Sequence, residues 1–307
     1  MKVLVTGGAG FIGSHIVDAI IEKGMEAVIL DNLSTGRREN INPKAAFYQS
    51  DIRDKDISAI FQKEKPDVVC HHAAQVSVRN SVSDPCSDAD INITGSINLM
   101  EASRISGVKK IVFASSGGAI YGEQEAFPAT ESHPTRPLSP YGAAKLSFEF
   151  YLNCYKEVYG GPYVALRYSN VYGPRQDPHG EAGVVAIFCG MMIKGETPTI
   201  NGDGGQTRDY VYVKDVVAAN IAAITGEAAG AFNIGTGLET SVNGLYEIIK
   251  MKTGYAGHAQ NAPAKAGEQY RSVLDASHAG TGLGWRPSKA LEVGIEETVS
   301  FFKGKLA

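Results

Sequence analysis

Apolar residues along this chain fall into two alternating rhythms: short unbroken runs, and longer stretches where they recur every third or fourth position. The first run is Val3-Leu4-Val5, stopped by the glycines between Gly7 and Gly10. A strand covered on both faces reads this way, because neither face needs polar positions. From Phe11 the apolar positions take helical spacing, and Ala27-Val28-Ile29-Leu30 forms a second run that ends at Asp31. The same reading predicts a strand over Ala46–Gln49, a helix over Asp54 to Glu64 and a strand over Pro66 to Cys70. A long helix is predicted at residues 87 to 106, followed by a strand from Lys110 to Ala114. Ser139 as N-cap and Pro140 at the first helical position open a further helix, which Gly160-Gly161-Pro162 stops after Tyr159. A strand from Tyr163 to Arg167 then completes the sheet. Strands alternating with helices predict an α/β fold with a doubly wound parallel sheet.

The turn after the first strand carries chemistry. Gly8, Gly10 and Gly13 satisfy G-x-G-x-x-G, with Gly7 beginning the turn and Phe11 and Ile12 opening the helix. Such glycines give a tight turn, a backbone that can touch pyrophosphate, and close packing of helix on strand. The anion would sit on free N–H groups at the positive end of the helix. Asp31 falls about 20 residues later, where a carboxylate accepts from a ribose 2′-hydroxyl and repels a 2′-phosphate. The expected cofactor is therefore NAD. The polar stretch Asn32 to Arg38, with Ser34, Thr35 and Gly36, suits a loop beside the adenosine end. Asp51, followed by Ile52, could accept from the adenine amino group or could cap the next helix. His71-His72 invites a metal reading, but strand neighbours point to opposite faces and no matching ligand cluster appears elsewhere. No metal is expected. Ala73, Ala74 and Gln75 more simply let backbone approach the cofactor.

Bulk properties narrow the field without adding chemistry. With 307 residues and 43% apolar content, the chain should form one large domain plus a smaller lobe. The expected division is a dinucleotide-binding domain at 1–171, to which the chain returns near 209–237, and a substrate lobe at 172–307, beginning where Tyr172 to Pro178 turns loop-rich. A net charge of −4 gives no footprint for nucleic acid or acidic membranes. Cys70, Cys86, Cys154 and Cys189 have no C-x-x-C spacing, which fits reduced thiols and a cytoplasmic setting. No stretch approaches the ~18 apolar residues needed to span a bilayer.

The strand from Lys110 delivers Ser115-Ser116-Gly117-Gly118 at its C-terminal end, and Tyr141 lies four residues before Lys145 on a helix. That spacing puts phenol and ammonium on one face. A tyrosine with pKa near 10 must be shifted down to act as a base at neutral pH, and both the lysine ammonium and the positively charged nicotinamide ring would favour its phenolate.

These motifs resemble the extended short-chain dehydrogenase/reductases, of Rossmann type, and within them the UDP-galactose (UDP-glucose) 4-epimerases. The likeness is carried by Thr6 to Gly13, Asp31-Asn32-Leu33, Ser115 to Gly122, Tyr141 to Lys145, Arg167 to Gln176 and Gly205 to Tyr210. It implies a bound NAD that is never consumed, and epimerisation at carbon 4 of a UDP-hexose through a 4-keto intermediate. Tyr141 would be the base, Ser116 would hydrogen-bond the 4-oxygen, and Lys145 would hold the nicotinamide ribose. His72, Asn92, Ser115, Tyr168 and Val171 would line the cofactor. Gly117, Asn170, Arg208, Lys265, Glu268 and Arg271 would contact the UDP-sugar, and the enzyme would be a homodimer. Ser272 stands where a bulky tyrosine closes the sugar pocket in some relatives, which implies room for an N-acetyl group. Gly117 and Gly118 occupy the positions where a 4,6-dehydratase needs an acid and a base. A UDP-glucuronate 4-epimerase remains an alternative, and a non-catalytic NAD-sensing module a remote one.

Overall fold

The computed structural model describes residues 1–178, 183–264 and 269–306. Six strands, β1 (Lys2–Thr6), β2 (Glu26–Asp31), β3 (Ala46–Gln49), β4 (Val68–His71), β5 (Lys110–Ser116) and β6 (Tyr163–Tyr168), lie in one parallel sheet with the strand Gly230–Ile234. From edge to edge the order is Gly230–Ile234, β6, β5, β4, β1, β2, β3. The order reverses between β1 and β4, whose C-terminal ends flank the crevice where open α/β sheets collect ligands.

The unbroken apolar runs are explained by what covers each face. Val3, Val5, Ile29, Cys70 and Val112 pack against Ile16 and Ile20 of the helix Phe11–Glu22 and Val216 and Ala219 of the helix Val213–Thr225. Leu4, Val28, Leu30 and Val69 pack on the opposite face against Phe61 and Leu99. A fully buried aliphatic side chain contributes about 1.5–3 kcal/mol by leaving water, so alternation would forfeit half of the stabilisation such a strand can contribute.

Two expectations are corrected. The strand at Tyr163 does not complete the sheet, because Gly230–Ile234 pairs along its outer side. The stretch 87 to 106 is not one helix: Pro85–Ala89 leads into a π-helical turn, Asp90–Gly95, and then into Ser96–Ile105. Such insertions widen a helix locally and are frequent at functional sites.

Beyond the sheet a second apolar cluster gathers Tyr172, Phe188, Tyr212, Leu245 and Ile295 between the helices Val184–Ile193, Val242–Thr253 and Leu291–Leu306. A small sheet of Asn170–Tyr172, Thr207–Tyr212, Glu239–Ser241 and Arg271–Ser272 borders it. Buried Asp209 ties this sheet to the main one, accepting from the N–H groups of Thr236 and Gly237 at 2.8 and 3.1 Å. Among the described residues no helix is long and apolar enough to cross a membrane.

Candidate active site

The crevice begins at the helix Phe11–Glu22, whose N-cap is Gly10 and whose first N–H groups have no side-chain cap. A Cβ on Gly13 would lie 2.2 Å from the Gly7 carbonyl oxygen, and one on Gly7 would lie 2.8 Å from the Ala73 nitrogen. Gly7 also has φ +68°, a backbone that side chains resist. Turn, helix start and the end of β4 therefore meet with backbone alone, leaving an uncapped helix start of the sort that receives pyrophosphate. Asp31 is fixed at the end of β2 by N–H donors from Ala9 (3.0 Å) and Leu33 (2.8 Å). These features fit a dinucleotide. Exposed Ser34 and Thr35 and the tightly packed Gly36 follow in the adjoining loop.

Asp51 does not cap the next helix, whose N-cap is Asp56. Its two oxygens hold Arg53 at 2.9 and 3.0 Å, and Asn32 donates to it at 2.7 Å. The Arg53 guanidinium keeps this carboxyl well below the usual range, at about 2. Ile52 is buried beneath the loop.

His71 is a core histidine, held between Thr6 Oγ1 (2.7 Å) and Ser96 Oγ (2.9 Å). His72 bonds the Tyr168 hydroxyl at 3.0 Å. The Tyr168 hydroxyl thus points into the core, where Asn220 also donates to it at 2.8 Å. Val171 likewise packs between the two apolar clusters.

The reacting groups come from β5 and the helix Pro140–Tyr159, whose start is fixed by Ser139 Oγ accepting from the Gly142 N–H. Tyr141 lies beside Ser116, whose hydroxyl favours its ionised form. Lys145 places its Nζ 5.8 Å from the centre of the Tyr141 ring and donates to the Ala114 carbonyl at 3.0 Å. Burial pushes the Tyr141 phenol up to about 12, against the pull of neighbouring Ser116. Burial also brings Lys145 down to about 8, against the charge of Asp88. The protein alone therefore does not lower the tyrosine, and the expected shift counts on the nicotinamide ring as well as on Lys145. Phenolate needs the further positive charge of an oxidised nicotinamide ring.

Neighbouring Ser115 faces the other way, because successive strand residues point to opposite faces. Its hydroxyl donates to Glu149, so it is withdrawn from the cofactor side. At Gly117 a Cβ would meet Leu274 at 2.4 Å, so the position needs glycine.

Around Lys145 the π-helical turn presents Asn92. Its amide oxygen accepts from the Gln75 N–H (3.0 Å), and its nitrogen donates to the Gln75 carbonyl (2.9 Å) and to Asp88 (2.9 Å). Asp88 was not singled out from sequence; its position four residues before Asn92 was the available signal.

On the lobe side, Arg208 donates to the carbonyls of Thr207 (2.8 Å) and Gln269 (2.5 Å). Arg271 is drawn into an ion pair with Glu239 and lies 3.8 Å above the Phe127 ring. Asn170 lies at the start of the strand Asn170–Tyr172, its amide oxygen 3.9 Å from where Gly118 would carry a Cβ. Lys265 and Glu268 lie outside the described residues.

The chain matches the model of the NAD dependent epimerase/dehydratase family over residues 3–235. It is similar to the UDP-glucose 4-epimerase of Thermotoga maritima solved with UDP-glucose, with 50% identity, a TM-score of 0.98 and all of both chains covered. It resembles the Thermus thermophilus UDP-glucose 4-epimerase in complex with NAD at 48% identity, TM-score 0.95 and 99% of each chain. A UDP-N-acetylglucosamine 4-epimerase from Methanobrevibacter ruminantium, in complex with UDP-N-acetylmuramic acid, is 38% identical with TM-score 0.94 over 99% of this chain and 98% of its own. Likeness at this level leaves neither the crevice nor the lobe outside the comparison, and the chain belongs to the NAD dependent epimerase/dehydratase family.

Proposed function

We propose that the protein interconverts UDP-galactose and UDP-glucose by oxidation and re-reduction at carbon 4. The observation that carries this reading is the convergence of Ser116, Tyr141 and Lys145 at the C-terminal edge of β5. NAD, when bound, supplies the hydride acceptor and donor. Gly7, Gly10, Gly13 and Asp31 would hold it, and Lys145 would hold its nicotinamide ribose. Tyr141 takes the proton of the sugar 4-hydroxyl at its phenol oxygen, and Ser116 donates to that same oxygen as charge develops on it. When the 4-keto sugar has turned over in the site, Tyr141 returns the proton. Net oxidation is zero. Gly117 and Gly118 after Ser116 offer no acid or base for eliminating water, which disfavours dehydration. Arg208 and Asn170 would contact the UDP moiety.

Ser272, small and 3% exposed beside Arg208 on the lobe sheet, would leave space for an N-acetyl group. We therefore propose UDP-N-acetylhexosamines as further substrates, a reading the likeness to a UDP-N-acetylglucosamine 4-epimerase supports. Ser272→Tyr should lose turnover of UDP-N-acetylglucosamine by about tenfold or more while keeping UDP-galactose turnover; full retention would contradict it. Exposed Phe150, Tyr151, Val158 and Tyr159 on the helix Pro140–Tyr159 support a homodimer, which light scattering would read. A cytoplasmic setting suits the exposed, unpaired Cys86 and Cys154.

The test is incubation with UDP-galactose and separation of the product sugar nucleotides. The wild type should yield UDP-glucose, and Tyr141→Phe should be slower by about 10³-fold. A wild type inert with UDP-galactose even when NAD is added, and active on UDP-glucuronate, would contradict the hexose assignment.

A further inference from the structure

Asp88 is 2% exposed on the short helix Pro85–Ala89. Its Oδ1 accepts from Gln75 Nε2 at 2.8 Å and Asn92 Nδ2 at 2.9 Å, while its Oδ2 is buried with no hydrogen-bond partner among the described residues. Leaving a buried acceptor unsatisfied is costly, and more so when it carries charge. A structural carboxylate would be expected to find a second donor. Both the helix Pro85–Ala89 and the π-helical turn pack directly on the helix that carries Tyr141 and Lys145.

The surrounding charges isolate Asp88 as the group answering Lys145. His71 and His72 are kept neutral by burial. Asp90 is paired with Arg53, Glu149 with Arg167, and Asp84 caps the helix that Asp88 belongs to. Arg79, on the neighbouring helix Val78–Ser83, is exposed. Asp88 is the carboxylate whose charge raises both Lys145 and Tyr141. Burial raises Asp88 itself, and Lys145 opposes that rise.

We propose that Asp88 is a positioning residue, a buried counter-charge clamped by Gln75 and Asn92 that holds Lys145 as an ammonium and sets the pH window in which Tyr141 works. The inference rests on the reading of Tyr141 as base. Its signature is directional. One negative charge favours the protonated form of both lysine and tyrosine, so removing it moves both limbs of the activity profile to lower pH. A residue that merely supported the fold would change the height of the profile and leave its limbs in place.

The test is the pH profile of kcat for UDP-galactose conversion by wild type, Asp88→Asn and Asp88→Glu. Asparagine can still accept from Gln75 and Asn92, and its limbs should both move down by about half to one pH unit. Glutamate, which keeps the charge, should hold the limbs near those of the wild type. Limbs unmoved in Asp88→Asn would overturn the proposal. Should that variant not fold, Asp88→Ser removes the same charge and carries the same expectation. A second readout needs no turnover: the tyrosinate absorbance of each protein minus that of its Tyr141→Phe counterpart should rise at lower pH without Asp88. If the wild type does not convert UDP-galactose, the functional reading fails, and this titration still decides the role of Asp88.

Discussion

Two buried polar networks stand back to back across the end of β5, built from the same helix, and they differ in how completely they are satisfied. Behind the strand, Ser115 donates to Glu149, and Arg167 grips both oxygens of Glu149, one at 2.6 Å. Arg167 also reaches Tyr121 at 2.9 Å, and Tyr121 donates to Asn233 at 2.7 Å. In front of the strand lie Ser116, Tyr141, Lys145, Asn92 and Asp88, where a carboxylate oxygen lacks a partner among the described residues and Tyr141 and Lys145 are driven from their ordinary ionisation by burial. Proteins satisfy buried polar groups where structure is the purpose. The closed network holds the strand end in place; the open one has donors and acceptors left for ligands. Ser115 and Ser116, adjacent in sequence, fall on opposite sides of that division.

Substitutions on either side separate the two networks. Glu149→Ala should have the largest effect on folding, about 3–5 kcal/mol by denaturant titration, because it strands the buried Arg167 guanidinium. Retained stability would mean the rear network is dispensable. Ser116→Ala should lower turnover by about 10–100-fold and leave the denaturation midpoint unchanged, since it removes a donor to the reacting oxygen. Ser115→Ala should do the reverse, with turnover nearly kept and stability reduced by about 1 kcal/mol. Equal losses of turnover from the two serines would dissolve the distinction.

Much of this arrangement is legible in the sequence, for physical reasons that differ by element. The run Val3 to Val5 and the glycine turn announce themselves because packing on both faces and backbone contact admit few residue types. The helix Pro140–Tyr159 declares both ends through Ser139, Pro140 and Gly160. The strand Gly230–Ile234 is harder to place, since Asn233 interrupts its apolar run and its partner β6 lies over sixty residues earlier. The break at Asp90–Gly95, packed on the helix Pro140–Tyr159, leaves no local mark in the sequence. The partners of Tyr168 and Arg271, Asn220 and Glu239, are far along the chain and leave no local mark. Glu149 could have been found as the acid one turn after Lys145 on the same stripe.

The central claim is that carbon 4 is oxidised and reduced again inside one site. The most direct measurement is conversion of UDP-galactose deuterated at carbon 4, with the product examined by mass spectrometry and NMR. The account predicts UDP-glucose that keeps its deuterium at carbon 4, because the hydride leaves and returns without meeting solvent. Replacement of that deuterium by solvent hydrogen would contradict it.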